Sequence, residues 1–318
     1  MLEKIAESII TNKTIIEKQA IRSIIQDIKS NTFKSARVLS DIGEDAASIK
    51  NQNEILTLIT TDRIKTSFIE NFPYGAGFSS ILVGIDDIYA CGGIPLAASI
   101  ILSFKDKNIG NQIIGGICEG SKKFKVPIVR GHTSINNSYE LSSTIIGEIE
   151  SNNYISSKNA QNNDDVLLAV DFDGKIGKAN RMYWDTTTFK TSDMVLNKRK
   201  SMNIIAKSQL AHSSKDISNS GIFGTAIQLA QFSKKGVNID ITNLVIPPFL
   251  VKEQYGIIDY AQMFLTTSFI LTAPKENSEK IIKIFKNHSM IACKIGEVLE
   301  EKCLLLSEKQ KQIKVMDL

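Results

Sequence analysis

Ile55-Leu56-Thr57-Leu58-Ile59-Thr60-Thr61-Asp62 decides the fold class. The run is apolar and β-branched, which reads as a buried strand, and it ends directly on a carboxylate. The pairing of an apolar element with an acid recurs. Ser79 to Cys91 carries Ile81, Leu82, Ile85, Ile88 and Tyr89 at helical spacing, holds Asp86-Asp87, and stops at Gly92-Gly93. Leu96 to Phe104 reads as a strand and Asn111 to Phe124 as a helix. Val126 to Val129 is a short strand running into Gly131-His132-Thr133, and Glu140 to Glu150 is a further strand. Earlier, Ile21, Ile24, Ile25 and Ile28 give one helix an apolar face, ended by Ser30-Asn31-Thr32. The second half repeats this style. Strands are predicted at 166–170, 239–241 and 268–273, and helices at 202–210, 221–232 and 276–287. The class is α+β, built as two α/β-layered domains. The polar stretch Ser151 to Asp164 is the natural linker, which gives an N-terminal domain at 1–155 and a C-terminal domain at 156–318.

Composition narrows the function. Of 318 residues, 42% are hydrophobic and 23% charged, as in an ordinary globular chain. The 38 basic residues against 34 acidic ones leave +4, too mild to imply nucleic acid. Cys91, Cys118, Cys293 and Cys303 match no zinc spacing and read as buried free thiols. The N-terminus is not a signal peptide. The most apolar window, Ile81 to Phe104, is broken by Asp86, Asp87 and Gly92-Gly93, so no membrane span is expected. The expected setting is cytoplasmic.

Four acidic sites carry the chemistry: Gly43-Glu44-Asp45-Ala46-Ala47, Thr60-Thr61-Asp62, Asp86-Asp87 and Lys215-Asp216-Ile217-Ser218. One acid at a turn is usually a cap. Several in apolar settings repel one another unless a cation neutralises them. Magnesium does so with one or two carboxylates plus phosphate oxygens, so such a site would bind a nucleotide through its metal. Two glycine patterns are decoys. Gly115 to Lys122 has Ser121-Lys122 in the wrong order for a phosphate loop and reads as helix packing. Gly75-Ala76-Gly77 lacks the third glycine of a dinucleotide fingerprint. Lys175, Lys178 and Arg181, beside Tyr183-Trp184-Asp185, read either as a solvated loop or as a grip on a substrate phosphate or carboxylate.

These motifs, with Arg130-Gly131-His132-Thr133 and the Asp216-Ile217-Ser218 turn before a helix, resemble in order those of the aminoimidazole ribonucleotide (AIR) synthetase superfamily. That superfamily includes thiamine-monophosphate kinase and selenophosphate synthetase. The resemblance spans about residues 40 to 275 and lies closest to the uncharacterised AIR synthase-related branch. It implies an N-terminal domain whose strands form a barrel across a homodimer. It also implies ATP- and Mg²⁺-dependent activation of a small substrate by phosphoryl transfer. Carried over residue by residue, Asp45, Asp62, Asp87 and Asp216 would hold metal. Gly43, Glu44, Asp45, Gly92, Gly93, Arg130, Gly131, Thr133 and Ser218 would contact the nucleotide, and His132 and Lys215 would act in catalysis.

The departures are specific. His132 stands where the kinases carry an Asp, and magnesium prefers oxygen ligands. The imidazole could touch phosphate, act as acid or base, or serve as a structural hydrogen-bonding group. Gly84 stands where Asn is frequent, and Glu44-Asp45 replaces Asp-Asp. The alternatives to an activating enzyme are a thiamine-monophosphate kinase-like enzyme and a nucleotide-binding scaffold without turnover.

Overall fold

The structure, a computed structural model, describes residues 1–51 and 53–318. Three short helices lead, α1 (Leu2–Ile10), α2 (Lys13–Ala20) and α3 (Arg22–Asn31). Then follow β1 (Val38–Ser40), β2 (Ala47–Lys50), β3 (Ile55–Arg63), α4 (Thr66–Asn71) and α5 (Pro73–Ala90). The first half closes with β4 (Ile94–Phe104), α6 (Lys107–Phe124), β5 (Ile128–Ile135) and β6 (Glu140–Glu150). The second half begins with β7 (Asp165–Val170), β8 (Lys175–Ile176), β9 (Tyr183–Asp185), α7 (Ser192–Lys207), β10 (Ser213–Asp216), α8 (Gly221–Phe232) and β11 (Gly236–Asp240). It ends with α9 (Pro248–Lys252), α10 (Ile257–Gln262), β12 (Phe264–Leu265), β13 (Ser268–Ala273), α11 (Lys275–Asn287), β14 (Ile291–Leu299), β15 (Cys303–Glu308) and β16 (Lys311–Asp317).

The first sheet runs β1-β2-β3-β6-β4-β5 and the second β10-β13-β7-β14-β11-β15-β16; β12-β9-β8 form a small third sheet. Period-two alternation in β3 buries Leu56, Leu58 and Thr60 on one face. That face packs on α5 and α6, whereas the other face of the first sheet carries exposed Ile94 and Ile101. Edge strand β5 is exposed almost throughout. The stretch Gly131-His132-Thr133, expected to follow a strand, is itself strand, paired in parallel with β4. The N-terminal helix at 22–31 forms, but Ile21, Ile24 and Ile28 stay exposed.

The second sheet is a filling between two layers. On one side α7 and α11 join a core continuous with α5 and α6; on the other, α1 and α8 cover β7, β11 and β15. Leu2, Ile5 and Ile9 of α1 therefore share a core with Val315 of β16 rather than with the first sheet. The polar 151–164 stretch is anchored, with Ser156 and Ser157 buried.

Two helices meet at contact distance. A Cβ on Gly77 would lie 2.0 Å from the Ile113 carbonyl oxygen, and one on Gly116 would lie 2.0 Å from that of Tyr74. Gly115 to Lys122 thus lies inside α6 as a packing surface. Gly84 has its own reason: a Cβ there would lie 2.5 Å from Ile145 Cγ1, so α5 rests directly on β6. Overpacking of such a contact destabilises by about 1–3 kcal/mol. Gly77→Ala is expected to reach the upper end of that range, read as a lower urea midpoint at unchanged m-value.

Candidate functional site

Four elements deliver carboxylates to one place. The turn after β1 presents Asp45; Gly43, at φ 110°, makes that turn against the Phe232 ring. The end of β3 presents Asp62 on the side facing α5. One turn before its C-terminus, α5 presents Asp87, whose Oδ2 accepts from Thr60 Oγ1 at 2.6 Å. The end of β10 presents Asp216. Carboxylate oxygens of Asp45, Asp87 and Asp216 lie within 4.8 Å of one another. Asp62 stands next to Asp87, close enough that its charge raises the Asp87 carboxyl. Its other oxygen, Oδ2, is buried without a hydrogen-bond partner.

Two ammonium groups face the four acids. Lys215 Nζ donates to Asp45 Oδ1, and the Asp216 amide donates to Asp45 Oδ2 at 3.1 Å. Lys18 comes from α2, far away in sequence. Its Nζ donates to Ser218 Oγ at 2.9 Å, Ser220 Oγ at 3.1 Å and Gln228 Oε1 at 3.0 Å. Burial and the Lys215 charge lower the Lys18 ammonium, partly offset by Asp216, Asp45 and Asp87. Burial would also lower Lys215, but the Asp45 charge and hydrogen bond outweigh it and hold Lys215 above its ordinary value.

The acids move the other way. Burial, then the charges of Asp62, Asp216 and Asp45, push Asp87 well above the carboxylate range. Burial and Asp45 do the same to Asp216. Burial raises Asp62 and Asp45, the latter against the pull of Lys215. Among the described residues, four carboxylates with two ammonium groups are short of positive charge. An all-oxygen cluster with an orphaned buried oxygen is the donor set a hard cation such as magnesium takes.

The neighbouring Asp86 does different work. Its Oδ1 accepts from Arg199 Nε of α7 at 2.7 Å, and its Oδ2 from the Thr267 amide at 3.2 Å, both groups being buried. This pair ties the helix that carries Asp87 to the second half of the chain. Asp62 also lines an open cleft of about 1080 Å³ that runs between α4, α5 and the small third sheet.

The other sequence-derived residues separate. Ser218 and Lys215 are in the cluster. Glu44, next to Asp45, turns away: its oxygens accept from Ser156 Oγ at 2.6 Å and from the Ser157 amide and hydroxyl at 2.7 Å each. Gly92 and Gly93 approach Ala206 and Leu58, and their carbonyls accept from Asn203 Nδ2 at 2.9 and 2.8 Å. Arg130, Gly131, His132 and Thr133 lie on β5, three strands from Asp62 in the sheet. His132 pairs with the exposed Ile101, on the sheet face opposite the one that carries Asp62. Within this chain they do not reach the carboxylates. Lys18 was missed in the sequence; it follows the helix cap Asn12, and nothing local ties it to residues 216–228.

Fold and site define a class of two-part α/β protein that gathers carboxylates at the junction of its halves. The chain belongs to the AIR synthase related protein family: the N-terminal domain model matches residues 43–149 and the C-terminal domain model residues 147–304. It is 33% identical to the uncharacterized protein MJ0640 of Methanocaldococcus jannaschii over 99% of this chain and 97% of that one. It is 25% identical to the thiamine-monophosphate kinase of Buchnera aphidicola over 94% and 97%. Its fold matches that of AaThiL complexed with AMPPCP and TMP at a TM-score of 0.67, with 20% identity, covering 93% and 97% of the two chains. It also matches T. maritima PurL complexed with ADP at 0.72, with 14% identity over 88% of this chain, but spans only 46% of that one. Among the described residues no helix is long and apolar enough to cross a membrane.

The raised acids set a pH dependence. These carboxyls bind protons more tightly folded than unfolded, so their contribution is full below about pH 4, the unfolded value. It is lost as pH rises through the folded values. Metal-free protein should therefore melt at falling temperature above about pH 4. Magnesium at a hundredfold excess over its Kd should return about 2.7 kcal/mol at pH 7. Thermal melts across pH, with and without Mg²⁺, read both effects.

Proposed function

We propose that this protein is an ATP- and Mg²⁺-dependent enzyme that activates a small acceptor by phosphoryl transfer, and that it works as a homodimer. The observation that carries the reading is the convergence of Asp45, Asp87 and Asp216, with Asp62 between them and an open cleft. Asp45, Asp62, Asp87 and Asp216 would hold the magnesium, which when bound neutralises phosphate charge. Lys18 and Lys215 supply the remaining positive charge, and the hydroxyls of Ser218 and Ser220 fix Lys18 in place. Catalysis in such a site is mostly positioning and electrostatics. The family membership and the full-length similarity to a thiamine-monophosphate kinase support the reaction type.

The homodimer reading rests on β5 and the open face beside it. Val129 is 61% exposed, on an edge strand that is paired on one side only. Ile94, Leu96 and Ile101 of β4 extend the same apolar surface. A second copy laid against that face would cover it, and would place His132 and Arg130 at the seam between the copies.

Two measurements test this. Asp87→Asn keeps the size of the side chain and an acceptor for Thr60 while removing one buried charge. It should weaken Mg²⁺–ATP binding at least tenfold by calorimetry, with the metal-free melting temperature unchanged or higher. Equal loss of fold and binding would make Asp87 structural, and binding without hydrolysis over an acceptor panel that includes thiamine monophosphate would favour a scaffold. Val129→Asp should shift the sedimentation coefficient from dimer to monomer.

A further inference from the structure

The cleft beside Asp62 carries more information than its size. Its walls are aromatic. Phe68 of α4 and Phe72, just after it, lie with ring centroids 6.1 Å apart, and Tyr183 and Phe264 are stacked at 5.4 Å with an 11° interplanar angle. Its free charge is positive. Arg63, Lys65, Lys175 and Lys178 line it, and among the described residues none of them is in an ion pair with a carboxylate. The acids of the lining are already engaged. Glu119 pairs with Lys123 at 3.7 Å, Asp185 accepts from Thr187 and Thr188, and Asp62 belongs to the carboxylate cluster. Lys175 Nζ lies 4.3 Å from the centroid of the Phe189 ring, so one cation already sits on an aromatic face. Arg181, the third member of the basic patch read from the sequence, is instead held by Tyr255.

Flat rings prefer offset stacking against such walls, and unpaired lysines at a partly enclosed surface favour an oxyanion. We propose that the acceptor is a planar aromatic or heteroaromatic molecule bearing a carboxylate or phosphate, its ring stacked in this cleft and its oxyanion held by Lys175 and Lys178. The assignment rests on the phosphoryl-transfer reading, because it takes Asp62 as the junction between nucleotide and acceptor. It makes the β8–β9 arm the part of the chain that selects the substrate.

Naphthalene probes test it, with AMPPNP and Mg²⁺ present throughout to fill the nucleotide side. 2-Naphthoate and 2-naphthyl phosphate should each bind at least tenfold more tightly than 2-naphthalenemethanol, and 2-naphthoate at least tenfold more tightly than cyclohexanecarboxylate. The tighter of the two naphthyl anions identifies the oxyanion. Lys175→Met with Lys178→Met, both exposed positions, should cut the anion preference about tenfold, and the double Arg variant should retain it. Equal binding of the neutral alcohol, equal binding of the non-aromatic acid, or an unchanged preference in the double Met variant overturns the proposal. Mg²⁺–AMPPNP affinity is measured on the same samples. Its absence overturns the phosphoryl-transfer reading, whereas its presence without any probe preference overturns the acceptor assignment alone.

Discussion

Carboxylates crowded beyond the reach of the available ammonium groups are the constraint around which this molecule is arranged. Asp45, Asp62, Asp87 and Asp216 come from four elements in two halves of the chain, and among the described residues Lys18 and Lys215 oppose them. Such a cluster weakens a fold unless the scaffold around it is rigid. The rigidity comes from neighbours in the sequence. Asp86, one residue before Asp87, is locked to Arg199, and Glu44, one residue before Asp45, is locked to Ser156 and Ser157. At two of the four positions, then, one acid of an adjacent pair fixes the backbone and the other faces the cluster.

That division explains what could be read in advance. Strand β3 and helix α8 were legible because their apolar periods are clean, and α8 spans Gly221 to Phe232 as expected. The four aspartates were legible as strand-end and turn acids in apolar surroundings. Glu44 was not separable from Asp45 by pattern, because adjacent residues in a turn diverge according to partners far along the chain. Lys18 was invisible for the same reason: its hydrogen bonds reach residues 200 or more positions away. Arg130 to Thr133 continue the strand that the sequence has running into them, and Gly131 lets β5 lie close against β4, since a Cβ there would lie 2.3 Å from the Ile100 carbonyl oxygen. No element was assigned beyond residue 287, where three further strands complete the second sheet.

The boundary near residue 155 marks the change of sheet but not of core. Val195, Met202 and Ile205 of α7 pack with the helices of the first sheet, and the Asp86–Arg199 pair is buried among them. The two halves are therefore held as one body where the carboxylates meet; the aromatic cleft opens from that junction at Asp62, and the β5 face lies away from it.

The placement of α1 has a consequence for how the molecule closes. Leu2, Ile5 and Ile9 share their core with Val315. This helix packs by long-range contact, against β15 and β16 at residues 303–317. Lys18 follows α1 by one short connection, and its ammonium group reaches Ser218 and Ser220 beside the aspartates. Weakening the seat of α1 on those strands therefore frees apolar surface and, with it, a cation that faces the carboxylates.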